Sequence, residues 1–95
     1  MKTKCSFKTF MFRRISYPGT LTLNNGYLNF KSESIYGEPI TKNLFIKNIK
    51  DIKIKKGILN KSLLILYDKE WYIFHKFQDE NYLEIFETLK MCKDE

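Results

Sequence analysis

Between residues 19 and 30 the chain reads GTLTLNNGYLNF, with apolar residues at alternate positions on both sides of Asn25-Gly26. Such alternation marks a strand with one buried face. Asn-Gly is the dipeptide that supplies positive φ at both central positions of a two-residue type I′ hairpin. The register follows from the turn: Leu23 faces Leu28, Leu21 faces Phe30 and Thr22 faces Asn29, so the apolar side chains share one side of the ribbon. Upstream, CSFKTFMF alternates at Cys5 and Phe7 and then shifts phase to Phe10 and Phe12, which predicts a first strand with a bulge or bend. Pro18-Gly19 marks a turn into the second strand. Residues 32 to 41, SESIYGEPIT, hold Gly37 and Pro39 and no sustained period, and read as a connecting loop.

The stretch IKNIKDIKIKKGILNK, residues 46 to 61, is ambiguous, with an isoleucine at every second or third position and lysines between. Phe45, Ile49 and Ile52 fit one face of a helix, yet Ile54 falls off it, no N-cap with an acidic first turn precedes it, and Gly57 ends the pattern early. As strands, KNLFIK and DIKIKK turn β-branched residues inward and lysines outward, with Ile49 at a bend between them. The strand reading accounts for more of the positions. SLLILYDKEWYIFHKF then gives two short runs about an Asp-Lys-Glu turn, apolar on both faces and expected to be the most buried strands. From Asp79, an N-cap with Glu80 behind it, the period becomes helical over residues 79 to 92, with Tyr82, Ile85, Phe86, Leu89 and Cys92 on one stripe. The expected class is mainly β with one C-terminal α-helix.

Composition narrows the picture. The 95 residues suit a single domain, 1–95, with one core. A hydrophobic content of 43% with 16% aromatics excludes a disordered tail. No window approaches the roughly 18 apolar residues of a membrane span. The N-terminal MKTKCSFKTFMFRRISYPG is interrupted by Lys8 and lacks a small-residue cleavage site, so it does not read as a secretory signal, and a cytoplasmic location is expected, with peripheral membrane attachment left open. Cys5 and Cys92 lie at opposite ends of the chain without neighbouring ligands, which excludes a zinc knuckle or a CxxC redox pair. They read as buried free thiols; a terminal disulfide would need the ends to meet and is disfavoured in a reducing compartment. The net charge of +6 is uneven: residues 1–31 carry six Lys/Arg and no acid, residues 42–61 carry seven against Asp51, and residues 62–95 carry four against eight acids. That asymmetry points to an anionic partner, although an Ile-, Asn- and Lys-rich composition is equally what AT-rich codons would give.

Seven strands followed by one helix is the element order of the pleckstrin-homology superfold, and three segments here resemble its GRAM family. GTLTLNNGYLNF is similar to the G-x-L-x-L-(T/S)-x-x-x-L-x-F hairpin, with Asn24 where Thr or Ser is commoner; FIKNIKDIKIKK is similar to I-x-x-L-x-D-I through Ile49, Asp51 and Ile52; WYIFHKFQDENYLEIFETL resembles the (Y/F)-x-F-x-x-F strand that runs into an acidic-capped helix. The helix lacks the family's tryptophan near its end. The resemblance implies a partly open seven-stranded barrel of two near-orthogonal sheets capped by the helix, and a role in binding membranes or other proteins.

An active site is not legible. The single histidine, His75, sits inside YIFHKF without a partner, Asp79-Glu80 is explained as a helix start, and neither a metal-ligand cluster nor a cofactor motif is present, so no catalytic residue, metal or cofactor is expected. For anion binding the candidates are Arg13 and Arg14 before the Pro-Gly turn, and Lys55, Lys56 and Lys61 around GILN. The resemblance implies that the first hairpin loop and the fifth-to-sixth-strand loop lie on one face, and this chain has bases in both. Strand two, TLTLN, lacks the positive charge that selective phosphoinositide binders carry. The expectation is therefore weak attraction to anionic lipid, at about 1 kcal/mol per nearby base, with the acidic helix facing away. Ile58 and Leu59 at the hairpin tip either dip into the membrane or cover the end of the barrel. A protein partner, docked on a strand edge or on the basic sheet, is the principal alternative. Nucleic acid is disfavoured, because the aromatics follow the inward phase and exposed stacking candidates stop at Tyr17, Tyr27 and Tyr36.

Overall fold

The computed structural model describes residues 1–9, 16–33, 39–57 and 61–93. Its elements are β1 (Lys2–Thr9), β2 (Tyr17–Asn24), β3 (Tyr27–Ser32), β4 (Thr41–Phe45), a single 3₁₀ turn (Ile46–Asn48), β5 (Ile49–Lys56), β6 (Lys61–Tyr67), β7 (Glu70–His75) and α1 (Asn81–Lys93). The seven strands form one antiparallel sheet in the order β4-β3-β2-β1-β7-β6-β5. The two halves expected from the resemblance are thus hydrogen-bonded into a continuous ladder through β1 and β7, where Ser6 pairs with His75 and Thr9 with Tyr72.

The β2–β3 hairpin has the register that its alternation dictates, with Leu21 opposite Phe30, Thr22 opposite Asn29 and Leu23 opposite Leu28. Its turn differs from expectation. Only Gly26 takes a positive φ, of 86°, and Asn25 does not, which is the type II rather than the type I′ pattern. The turn with positive φ at both central residues joins β6 to β7, at Asp68 (58°) and Lys69 (146°). Pro18-Gly19 also departs from its expected place, because both residues lie inside β2. Gly19 is required by close approach: a Cβ there would meet the Lys31 carbonyl oxygen and lie 2.6 Å from Ser32 Cα and 2.8 Å from Phe30 Cζ. The β3–β4 connection is tied at its neck, where Ser32 N–H donates to the Ile40 carbonyl at 2.8 Å and Ile40 N–H donates to Ser32 Oγ at 2.7 Å.

The ambiguous lysine-rich stretch resolves into strands. Ile49 pairs with Tyr67 but Asp51 pairs with Leu66, so Lys50 is the inserted residue of a β-bulge. Ile49 and Ile52 are both buried although they stand three apart, a spacing that imitates a helix only because the bulge adds a residue between them. The helix begins slightly later than its sequence signal. Asp79 Oδ1 still caps it by accepting Asn81 N–H at 3.0 Å, and it also accepts the buried Thr3 hydroxyl at 2.7 Å, which fixes the helix start to β1. Tyr82, Ile85 and Leu89 are buried and Phe86 packs beside them, whereas Cys92 is exposed at the end of the stripe.

The sheet is strongly curled. β3 and β7 are separated by two strands, so on a flat sheet they would stand about 14 Å apart at about 4.8 Å per step. Yet the rings of Phe30 and Phe74 lie 5.7 Å apart, and each lies 5.3 Å from Phe7. Leu44 of one edge strand and Ile52 of the other belong to the same core, together with Ile85 and Leu89 of α1. β6 and β7, expected to be the most buried strands, bury Leu63, Ile65, Ile73 and Phe74, while Leu64, Leu66 and Trp71 are half-buried on the outer face.

Candidate functional site

Cross-strand register and alternation assign each basic candidate to a face. On the outer face of the second half-sheet, Lys55 pairs with Ser62, which pairs with His75, which pairs with Ser6. The next row along is Lys53–Leu64–Ile73–Lys8, and the one after it places Asp51 beside Leu66 and Trp71. Lys53 Nζ sits 5.2 Å from the centroid of the Trp71 ring and 3.8 Å from Asp51 Oδ2, so its charge is shared between a π face and a carboxylate.

Lys56 and Lys61 face each other directly across the β5–β6 ladder, on the opposite side of the strands from Lys55, in phase with the core residues Ile52 and Leu63. They stand just beyond the end of the core. Lys61 Nζ lies 6.0 Å from the ring of Tyr82 in the first turn of α1. The acidic start of the helix therefore lies at the same end of the molecule as Lys61, contrary to a helix that faces away from the bases. Lys55, Lys56 and Lys61 converge on the rim of one hairpin from its two faces, and Lys53, which was not singled out in the sequence, shares the outer face with Lys55. Arg13, Arg14, Ile58 and Leu59 lie outside the described residues.

His75 has a partner that the sequence did not disclose: Ser16 Oγ lies 3.1 Å from its Nε2, fifty-nine residues away in the chain. The side chain is only 8% exposed. Burial, and then the charges of Lys8 and Lys76, push the imidazole down to about 4 from 6.5. A serine beside an imidazole is the pair from which hydrolases build a nucleophile, but a base of that strength takes a proton poorly near neutral pH, and no carboxylate orients the ring among the described residues. The pair instead satisfies two polar groups at the edge of the core. Burial, and then the Asp79 carboxylate, push the Cys5 thiol up to about 12, so that it behaves as a small apolar side chain. Cys92 is a free thiol on the surface, which corrects the expectation that both would be buried. It borders a cleft of about 390 Å³ between the β2–β3 turn and the end of α1, lined also by Met1, Leu23, Ile46 and Thr88. Among the described residues no group of three or more His, Cys, Asp or Glu side chains is placed to hold a metal, and no helix is long and apolar enough to cross a membrane.

No protein-family model matches the chain, and no curated protein matches it. Among solved structures it is similar to the pleckstrin homology domain of USP37, with a TM-score of 0.64 over 94% of this chain and 92% of that one, at 14% sequence identity. The fold is pleckstrin-homology-like. At that identity the likeness establishes architecture alone, since one fold hosts many functions. In this PH-like chain the three segments that resemble GRAM proteins fall on the β2–β3 hairpin, on the end of β4 with the 3₁₀ turn and β5, and on β7 with α1.

Proposed function

We propose that the chain is a non-catalytic recognition module that binds anionic membrane surfaces weakly and without headgroup selectivity, through Lys55, Lys56 and Lys61 with Lys53 beside them and Arg13 and Arg14 in the β1–β2 connection. The reading is supported above all by the pairing of Lys56 with Lys61. Like charges directly opposite one another on a ladder destabilise it, and an anionic surface relieves that repulsion. Near such a surface each base contributes about 1 kcal/mol; six bases give about 6 kcal/mol, a dissociation constant of roughly 40 micromolar. The acidic start of α1 beside Lys61 lowers the share of that lysine, so Lys55 and Lys56 carry most of the effect. Attachment is peripheral and electrostatic, and the GRAM branch of the superfold is the one whose hairpin and helix-start patterns the chain carries.

Cosedimentation with phosphatidylserine vesicles tests this. Binding is expected at low salt and is expected to fall steeply towards physiological salt, because exposed charges are screened over about 8–10 Å. Lys55→Glu with Lys56→Glu should abolish it while leaving the unfolding transition in place. A wild-type chain that ignores anionic vesicles even at low salt would overturn the lipid reading in favour of protein docking. That second reading is supported by the half-buried Leu64, Leu66 and Trp71 on the outer face of β6 and β7, flanked by the sheet edge β5. The non-catalytic part falls if purified protein hydrolyses an ester, phosphate or peptide substrate and loses that activity on His75→Ala.

A further inference from the structure

On the other half of the sheet, the outer face of β1 to β4 is set out in rows by the ladder. One row pairs Lys4 with Thr20, Lys31 and Thr41; the next pairs Lys2 with Thr22, Asn29 and Asn43; the last pairs Asn24 with Tyr27 and Phe45. Every one of these residues is exposed or half-exposed, and none is acidic. Among the described residues, carboxylates at the margins of this face are Glu33, which follows the end of β3, and Asp79, which is engaged by Thr3 Oγ1 and Asn81 N–H. Tyr27 is 37% exposed and Phe45 51% exposed, neighbours across the ladder, and neither stacks on another ring among the described residues. One step up the strands, Asn29 Nδ2 donates to Asn43 Oδ1 at 2.6 Å. That bond uses one amide hydrogen of Asn29 and the carbonyl oxygen of Asn43, and leaves the carbonyl oxygen of Asn29, its second amide hydrogen and both amide hydrogens of Asn43 for a ligand.

From this juxtaposition we propose that the outer face of β1–β4 binds single-stranded nucleic acid, with bases stacked on Tyr27 and Phe45, the Asn29–Asn43 amides beside them, and Lys2, Lys4 and Lys31 on the phosphates. Three features converge on that partner. The charge is of one sign, which suits a polyanion and not an acidic patch alone. The exposed rings offer π faces, and base stacking on such rings tolerates any sequence. The amides between rings and lysines offer hydrogen bonds at the edge of a base, where a bilayer has no use for them. The disfavoured status of nucleic acid in the sequence rested on inward-facing aromatics; Phe45, at the last position of β4 and opposite Tyr27, is the ring that pattern did not supply. The face is separate from the β5–β6 rim, so the proposal stands or falls independently of vesicle binding.

Fluorescence anisotropy with short labelled oligouridylate and oligothymidylate tests it. Binding is expected at low salt, with log K falling against log salt at a slope of about −2, since each of three phosphate contacts contributes about −0.7 on a single strand. Tyr27→Ala and Phe45→Ala should each weaken it roughly 5- to 150-fold, the range for loss of one stacked base. Tyr27→Phe and Phe45→Tyr should retain it, which separates stacking from any effect on folding, and Lys55→Glu with Lys56→Glu should leave it in place. The proposal is overturned if neither oligonucleotide binds at low salt, if the double alanine variant binds like wild type, or if only the Lys55 and Lys56 changes matter. It is equally overturned if the double alanine variant loses phosphatidylserine vesicles while oligonucleotides never bind, which would make this face a membrane surface.

Discussion

Because His75 is the only histidine in the chain, its titration can be isolated from everything else. The folded protein keeps the imidazole neutral down to about pH 4, whereas the unfolded chain protonates it near the ordinary 6.5. Between those values the unfolded state binds more protons, so stability is complete above pH 6.5 and declines as pH falls through the window. At about 1.36 kcal/mol per unit of pKa difference, the gap from 6.5 to about 4 sets a ceiling of roughly 3 kcal/mol once both states are protonated; solvent around a ring at the edge of the core and the exposed lysines screens part of it, so a loss of about 1 kcal/mol is expected by about pH 5. Carboxylates contribute little above about pH 5. Urea unfolding followed by far-ultraviolet circular dichroism at neutral pH and near pH 5 should show that loss as a lower midpoint with an unchanged slope. His75→Gln keeps an amide within reach of Ser16 and removes the titration, so its midpoint should be nearly level across the window. Equal declines for wild type and variant, or a level wild type, would refute the claim that burial and the flanking Lys8 and Lys76 hold this ring neutral.

Three other substitutions or reactions probe the frame that holds the surfaces. Gly19→Ala should destabilise the fold by about 3 kcal/mol, at the upper end for overpacking, because the added Cβ meets backbone of β3 that cannot swing aside; thermal unfolding within a few degrees of wild type would contradict that contact. Asp79→Ala removes the helix cap and leaves the buried Thr3 hydroxyl without its acceptor, an expected loss of about 2 kcal/mol by denaturant titration. A thiol reagent under native conditions should modify Cys92 promptly and Cys5 only upon unfolding; rapid modification of both would mean that β1 does not bury its thiol.

Local pattern was sufficient wherever one strand face is buried and the other wet. Leu21, Leu23, Leu28 and Phe30 dictated the β2–β3 register because a slip of one residue would expose all of them. At Ile49 the pattern showed a bend but not its form, since the bulge at Lys50 appears only in the pairing with Tyr67, a partner eighteen residues away. Turn chemistry misled for a related reason. Asn25-Gly26 has the composition of a type I′ turn, yet the positive φ values at both positions fall to Asp68, which tolerates them, and Lys69, on which the short, tightly paired β6–β7 hairpin imposes them. The candidate site was legible as charge but not as geometry: strand phase separates Lys55 from Lys56 and Lys61, and only the assembled sheet brings Lys53 to Trp71, Ser16 to His75, and Phe45 to Tyr27.

The most direct test of recognition through the lysine-rich hairpin is a residue-resolved map of where an anionic bilayer touches the chain. Amide chemical shifts of ¹⁵N-labelled protein would be followed as phosphatidylserine nanodiscs are added at low salt. Perturbations are expected to concentrate on Lys53, Lys55, Lys56 and Lys61, to weaken together as salt rises, and to vanish in the Lys55→Glu, Lys56→Glu variant. Perturbations centred instead on Leu64, Leu66 and Trp71, or a spectrum that the nanodiscs leave unchanged, would contradict the assignment of the β5–β6 rim as the membrane-contacting surface.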